Sequence, residues 1–158
     1  MLFRSGEAAG TFSTLGAGPD TEDYYLRPAT PPRFMLPVAA ASLDLLLTLD
    51  PAPQRICFAH HGQFTGDIPG LLRTARGQLE LWVATAEEVL RRETGGLAPP
   101  AGPTQEALLP ALADALQVAD PRFARGARLP ADILERERDF TRQTLRGILG
   151  YLADRLQP

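Results

Sequence analysis

The sequence predicts an α/β fold whose second half is mainly helical. The short apolar run Ile56-Cys57-Phe58-Ala59 is too short for a helix and rich in β-favouring side chains, so it reads as a buried strand. A helical pattern over 37–49 leads into it. Beyond residue 67 the sequence reads as three successive helices, the first with apolar residues recurring by threes and fours. A boundary at 66/67 therefore separates an α/β part, 1–66, from a helical extension, 67–158.

Residues 1–10 read as a strand and a turn that carries Glu7 between Gly6 and Gly10. Glycines on both sides let the backbone bend sharply or approach a ligand closely. From 11 to 34, breakers dominate (Gly16, Gly18, Pro19, Pro28, Pro31, Pro32), and a long loop is expected. Its cluster of Asp20, Glu22, Asp23, Tyr24 and Tyr25 suits a pocket lining, a contact surface, or tyrosines that pin the loop to the core.

In the helix over 37–49, Pro37 suits the first turn and Val38, Ala41, Leu45 and Leu49 recur at helical spacing. Leu43, Leu46 and Leu47 widen the apolar surface, so cover on more than one side is expected. Asp50-Pro51-Ala52-Pro53 stops it. The strand over 55–59 then delivers His60 and His61, the only two histidines of the chain. They follow the C-terminal end of a strand, where α/β folds place their chemistry. A hydrogen-bonded structural pair and a metal-ligand position are both open at this point.

Asp67 is an N-cap for a helix over 68–94, with Pro69 in its first turn and Gly95-Gly96 at its end. Its stripe of Ile68, Leu72, Ala75, Leu79, Trp82, Ala86 and Val89 points to packing. A Pro/Gly/Ala linker over 97–103 precedes a helix capped by Thr104 and running to 118, in which Pro110 marks a kink or a later start. A connector over 120–130 holds Arg122, Arg125 and Arg128. The last helix, 130–156, turns Phe140, Thr144, Ile148, Tyr151 and Leu152 inward. Its outer side mixes Glu135, Glu137 and Asp139 with Arg136, Arg138, Arg142 and Arg146. Arg138, Arg142 and Arg146 form one row, which suits an anion or an acidic partner but reads first as a solvated face with local acidic partners.

Composition narrows the class. At 158 residues and 44% hydrophobic content the chain can bury a core. A net charge of −3 gives no electrostatic case for nucleic acid or an anionic membrane. All 16 basic residues are arginine, a composition bias more than a functional signal. One cysteine excludes an intramolecular disulfide, and Cys57 reads as a small buried hydrophobe. The N-terminus lacks a signal-peptide pattern and no apolar stretch is long enough to span a bilayer, so a cytoplasmic protein is expected.

If the two strands are neighbours in one sheet, Glu7 and His60 project from the same edge and can share an ion. Imidazole with carboxylate suits zinc or another divalent metal such as iron or manganese. A catalytic zinc needs three protein ligands and an open position, so these two make a partial site.

Leu2-Phe-Arg-Ser-Gly-Glu-Ala-Ala-Gly10 resembles the strand and turn that carry the metal-bridging aspartate of metallo-β-lactamase (MBL) fold hydrolases. Ala29-Thr-Pro-Pro-Arg-Phe34, the helix after it, and Arg55-Ile-Cys-Phe-Ala-His-His-Gly62 resemble the later part of that fold in its bacterial metal-dependent hydrolase branch. The tail, with Arg136-Glu-Arg-Asp-Phe140 and Leu145-Arg-Gly-Ile-Leu-Gly-Tyr-Leu152, is similar to the helical extension of that branch. The resemblance implies a partial MBL (αββα-type) fold with a mainly helical C-terminal extension. It implies Glu7 and His60 as metal ligands, with His61 supporting the ligand or facing substrate. The activity implied is hydrolysis of an ester, thioester, amide or phosphoester by metal-activated water.

The chain departs from the pattern in two ways. Glutamate stands where most of the fold uses aspartate, and the HxHxDH signature is not in the sequence. The expectation is therefore a C-terminal portion with weak metal binding and no robust hydrolysis alone, and with a complementary N-terminal half or a second copy as its partner. The competing expectation is a non-catalytic helical interaction module that pairs through the stripe of helix 68–94 and the arginine row of the last helix.

Overall fold

The computed structural model describes residues 2–16, 18, 22–59 and 62–156, and of residues 2–6 the backbone alone. The chain is mixed α and β and mostly helical. Strand β1 (Leu2–Gly6) pairs in parallel with β4 (Arg55–Phe58), from Leu2 opposite Arg55 to Gly6 opposite Phe58, with a register shift between Arg4 and Gly6. On the other side of β4 lies β5 (Gly62–Phe64), antiparallel to it. Parallel neighbours cannot be joined by a tight turn. The crossover here contains a β-hairpin and a helix.

That hairpin, β2 (Thr11–Thr14) with β3 (Tyr24–Arg27), corrects the expectation of one long loop over 11–34. Each strand has four residues, and β3 is buried at all four positions. No period-2 alternation exists there to be read. Phe12 of β2 stacks on Phe58 of β4 with ring centroids 4.8 Å apart, and meets Phe64 and Tyr24 at 5.8 and 5.4 Å. This aromatic cluster fastens the hairpin to the three-stranded sheet.

Helix α1 (Leu36–Leu47) begins with a proline in its first turn, as expected. Its covered face is Ala40 and Leu43, whereas Val38 and Leu45 are 58% and 67% exposed. The wide apolar surface of the sequence thus overstated the cover: one side packs and the other does not. Helix α2 (Ile68–Thr94) matches the expected bounds, capped by the Asp67 carboxylate, which accepts from Gly70 N at 2.9 Å, and ended by Gly95 in the left-handed region. Every residue of its expected stripe is buried.

Helix α3 (Pro103–Ala119) starts from Gly102 without a side-chain cap, so Thr104 is not its N-cap, and it continues through Pro110. The connector folds into a short α4 (Pro121–Ala124) and a 3-10 turn at Arg125–Arg128, followed by α5 (Ala131–Arg155). One apolar core runs from Ala9 through α2 to Leu152, continuous across residue 66.

Two buried carboxylates tie the layers together. Asp120, at 1% exposure, accepts from Gln78 Nε2 and Trp82 Nε1, both at 2.7 Å, and from the amides of Arg122 and Phe123 at 2.9 and 3.1 Å. Glu137, expected on the outer side of the last helix, is buried. Its Oε2 accepts from Arg27 Nε at 2.6 Å and from the Tyr25 hydroxyl at 2.9 Å. A charge on a polar-looking face was buried because a cation waits on β3. Burial, and then the Glu137 charge, push the Tyr25 phenol up, so it keeps its proton and donates.

Arg27 would be left buried without its counter-charge in Glu137→Ala. That substitution is expected to lower unfolding free energy by about 3–5 kcal/mol in urea titrations, and Glu137→Gln by less because it keeps an acceptor. A loss below about 1 kcal/mol for the alanine variant would mean that the pair is worth no more than a surface contact.

Candidate functional site

The turn at residues 7–9 leaves β1 and closes through Gly10 N, which donates to Glu7 O at 2.9 Å. Gly10 has φ +88°, and a Cβ there would stand 2.2 Å from the Arg27 carbonyl oxygen. The turn therefore rests directly on the backbone of β3, an approach that only glycine permits. Glu7 itself is exposed. Across the sheet, Gly6 is opposite Phe58, so the turn and the residues after β4 leave the sheet at the same edge. This is the neighbour relation on which the pairing of Glu7 with His60 was conditional. His60 and His61, second and third after Phe58, lie outside the described residues.

Among the described residues no group of three or more His, Cys, Asp or Glu is placed to hold a metal. Those residues alone do not fit a catalytic metal, which needs a larger donor set. Cys57, opposite Arg4 in the sheet, is partly buried.

Behind the turn lies a cavity of about 230 Å³, lined by Glu7, Ala9, Pro28, Phe34, Ala39 and Leu79 among others. Its walls are apolar except for Glu7, Ser42 and Gln78. Gln78 donates to Leu26 O at 2.8 Å as well as to Asp120, and its buried Oε1 has no hydrogen-bond partner among the described residues.

The acidic-aromatic cluster meets two of its expected roles: its tyrosines pin the loop to the core, and Tyr25 also lines a cavity beside α5. Tyr24 and Tyr25 are buried in the core, and the Arg122 guanidinium lies 3.8 Å from the Tyr24 ring centroid. Asp23 takes both Nη atoms of Arg128 at 2.7 and 2.8 Å, which holds its carboxyl below the ordinary range. Glu22 O accepts from Arg122 and Arg125. Asp20 lies outside the described residues. The three connector arginines are thus occupied by this loop, a pairing visible in sequence only as two opposite charge clusters about a hundred residues apart.

Sequence reasoning missed Arg27 and Glu137, which hold the strand that supports the Glu7 turn. The signal was faint: an arginine inside an apolar four-residue stretch, and one glutamate among many on the last helix. Comparison with protein-family models, with curated proteins and with solved structures returned no match. No described helix is long and apolar enough to cross a membrane.

Gly10→Ala is expected to destabilise the chain by about 1–3 kcal/mol, from the positive φ and the clash with Arg27 O together. Gly96→Ala, where a Cβ meets nothing within 4 Å, is the control and is expected to be near neutral. Equal effects in chemical denaturation would contradict the close seating of the turn.

Proposed function

We propose that this chain is the C-terminal portion of a metal-dependent hydrolase of the metallo-β-lactamase type, with Glu7 and His60 as two of its metal ligands and His61 as the residue beside them. The observation that carries this reading is the parallel pairing of β1 with β4, which brings the Glu7 turn and the end of β4 to one sheet edge. The order of strand, carboxylate turn, hairpin, helix and second parallel strand supports it as well.

A divalent metal bound there would supply Lewis acidity and a lowered pKa for bound water. The chain's own part is narrower. The turn presents a carboxylate at the edge of the sheet and rests on the β3 backbone of the hairpin. The adjoining cavity, apolar and about 230 Å³, offers space for a small apolar group of an ester, thioester, amide or phosphoester substrate. The HxHxDH donors that complete such a site in the family are not among these 158 residues. A complementary half is their expected source, and hydrolysis by this chain alone is expected to be negligible.

The second reading, a non-catalytic interaction module, needs different surfaces from those first expected. The α2 stripe is buried inside the chain's own core, and Arg146 of the arginine row is paired with Glu106 at 2.7 and 2.8 Å. What favours a module is the outer side of α1 and the residue before it, where Met35, Val38 and Leu45 are 57%, 58% and 67% exposed.

Elemental analysis after equilibrium dialysis against micromolar zinc separates the two. Substoichiometric zinc on the native chain, lost in both Glu7→Ala and His60→Ala, is the expected result. No zinc on the native chain, together with a stable dimer in light scattering, would favour the module. Zinc retained equally by both variants would remove Glu7 and His60 from the proposal.

A further inference from the structure

We propose that a second cavity, open to solvent and lying between α3, the connector and α5 with Tyr25 of β3 in its wall, binds a small amphipathic carboxylate with its apolar body inside and its charged end on Arg138 and Arg142. The cavity measures about 370 Å³. That falls within the range of small-molecule sites, about 300–1,000 Å³. Leu109 and Ala113 of α3, Phe123 and Leu129 of the connector, and Leu134 and Leu145 of α5 make its apolar walls.

The charges around it are not equivalent. Glu137 lines the cavity, but its negative charge is balanced by Arg27 Nε at 2.6 Å, so the interior carries an acceptor and no net charge. Arg138 and Arg142 also line it and stand one turn apart on α5. Their row-mate Arg146 is held by both oxygens of Glu106. Arg138 makes no ion pair among the described residues, whereas Arg142 meets Asp139 at 3.3 Å with both side chains more than half exposed. Such an exposed pair is weak and readily exchanged.

Two guanidinium forks are therefore available to one carboxylate, the geometry in which arginine binds it bidentately. Asp114, the remaining charged lining residue, belongs to α3 and disfavours an anion on that side, which directs the charged end to α5. A cationic amphiphile would meet both arginines, and a neutral one would leave them unused. The apolar body is an aliphatic chain, as in a fatty acid, or an aryl group; the carboxylate is common to both.

Trp82 is the only tryptophan, is fully buried, and meets Phe123 edge-on at 5.0 Å, so occupation of the Phe123 wall is reported by its emission. The test titrates the full chain with decanoate, 4-phenylbutyrate, decanol and decyltrimethylammonium, with calorimetry supplying Kd. Saturable binding of at least one carboxylate is expected, tighter than either decanol or the cation. The tighter carboxylate identifies the body as aliphatic or aromatic. Arg138→Gln with Arg142→Gln is expected to weaken carboxylate binding by about tenfold or more while leaving decanol unchanged. Both side chains are exposed, so folding is retained. Ala113→Leu, which fills the wall, is expected to weaken both decanoate and decanol. Failure of both carboxylates to bind, decanol binding as tightly as decanoate, or an unchanged Kd in the arginine variant would each overturn the proposal.

Discussion

The Arg27–Glu137 pair is the contact on which the arrangement depends. Both groups are out of water, and the desolvation of two charges is offset only when their geometry is good and their remaining donors are used. Here several are used: Arg27 Nη1 donates to Pro28 O and to Thr144 Oγ1 at 2.8 and 3.1 Å, and Tyr25 donates to the same Glu137 oxygen as Arg27. Its cation also lies 5.6 Å from the Phe140 ring centroid. The side chain of Arg27 is thereby fixed to α5, and its backbone carbonyl is the surface on which Gly10 and the Glu7 turn rest. A residue in the helical tail thus positions a carboxylate at the opposite end of the sequence. Thr30, donating to Thr144 O at 2.9 Å, and Gly147, whose absent side chain lets Thr30 and Pro31 lie against α5, extend the same seam.

The parallel pairing of β1 and β4 supplies the other half of the geometry. It sends both chain segments out of the sheet in one direction, as α/β folds do where they bind ligands. The antiparallel β5 then returns the chain into the sheet beside β4 and toward the N-cap of α2. An exposed carboxylate turn at this edge, over a small apolar cavity, is the feature with the most chemistry in the α/β part of the molecule. The cavity beside α5 is separate, built mainly from helices with Tyr25 of β3 in its wall, and its chemistry is that of recognition rather than reaction.

Helix α2 was legible because a 27-residue amphipathic pattern with Asp67 and Gly95 at its ends leaves little choice. Strand β4 was legible from four residues because breakers bounded it on both sides. The hairpin was not, since its strands have only four residues each and β3 is buried at every one of them, which leaves no alternation to read. For α1 the opposite error arose: its sequence is apolar nearly all round, and periodicity cannot say which side stays uncovered. Glu7 was legible as a glycine-flanked turn residue, and its edge position followed once the strands paired. What no local pattern contained was the long-range partner of each buried charge. Arg27 with Glu137, and Asp120 with Gln78 and Trp82, are decisions of the tertiary fold.

Amide hydrogen exchange at Gly10, whose N–H bonds to Glu7 O, tests this dependence most directly. In Glu137→Gln, compared with the native chain under conditions where both are folded, the expected result is a selective loss of protection at Gly10 and along β3, with α2 unchanged. Protection that falls only within α5, leaving Gly10 as in the native chain, would contradict the claim that the tail positions the Glu7 turn through Arg27.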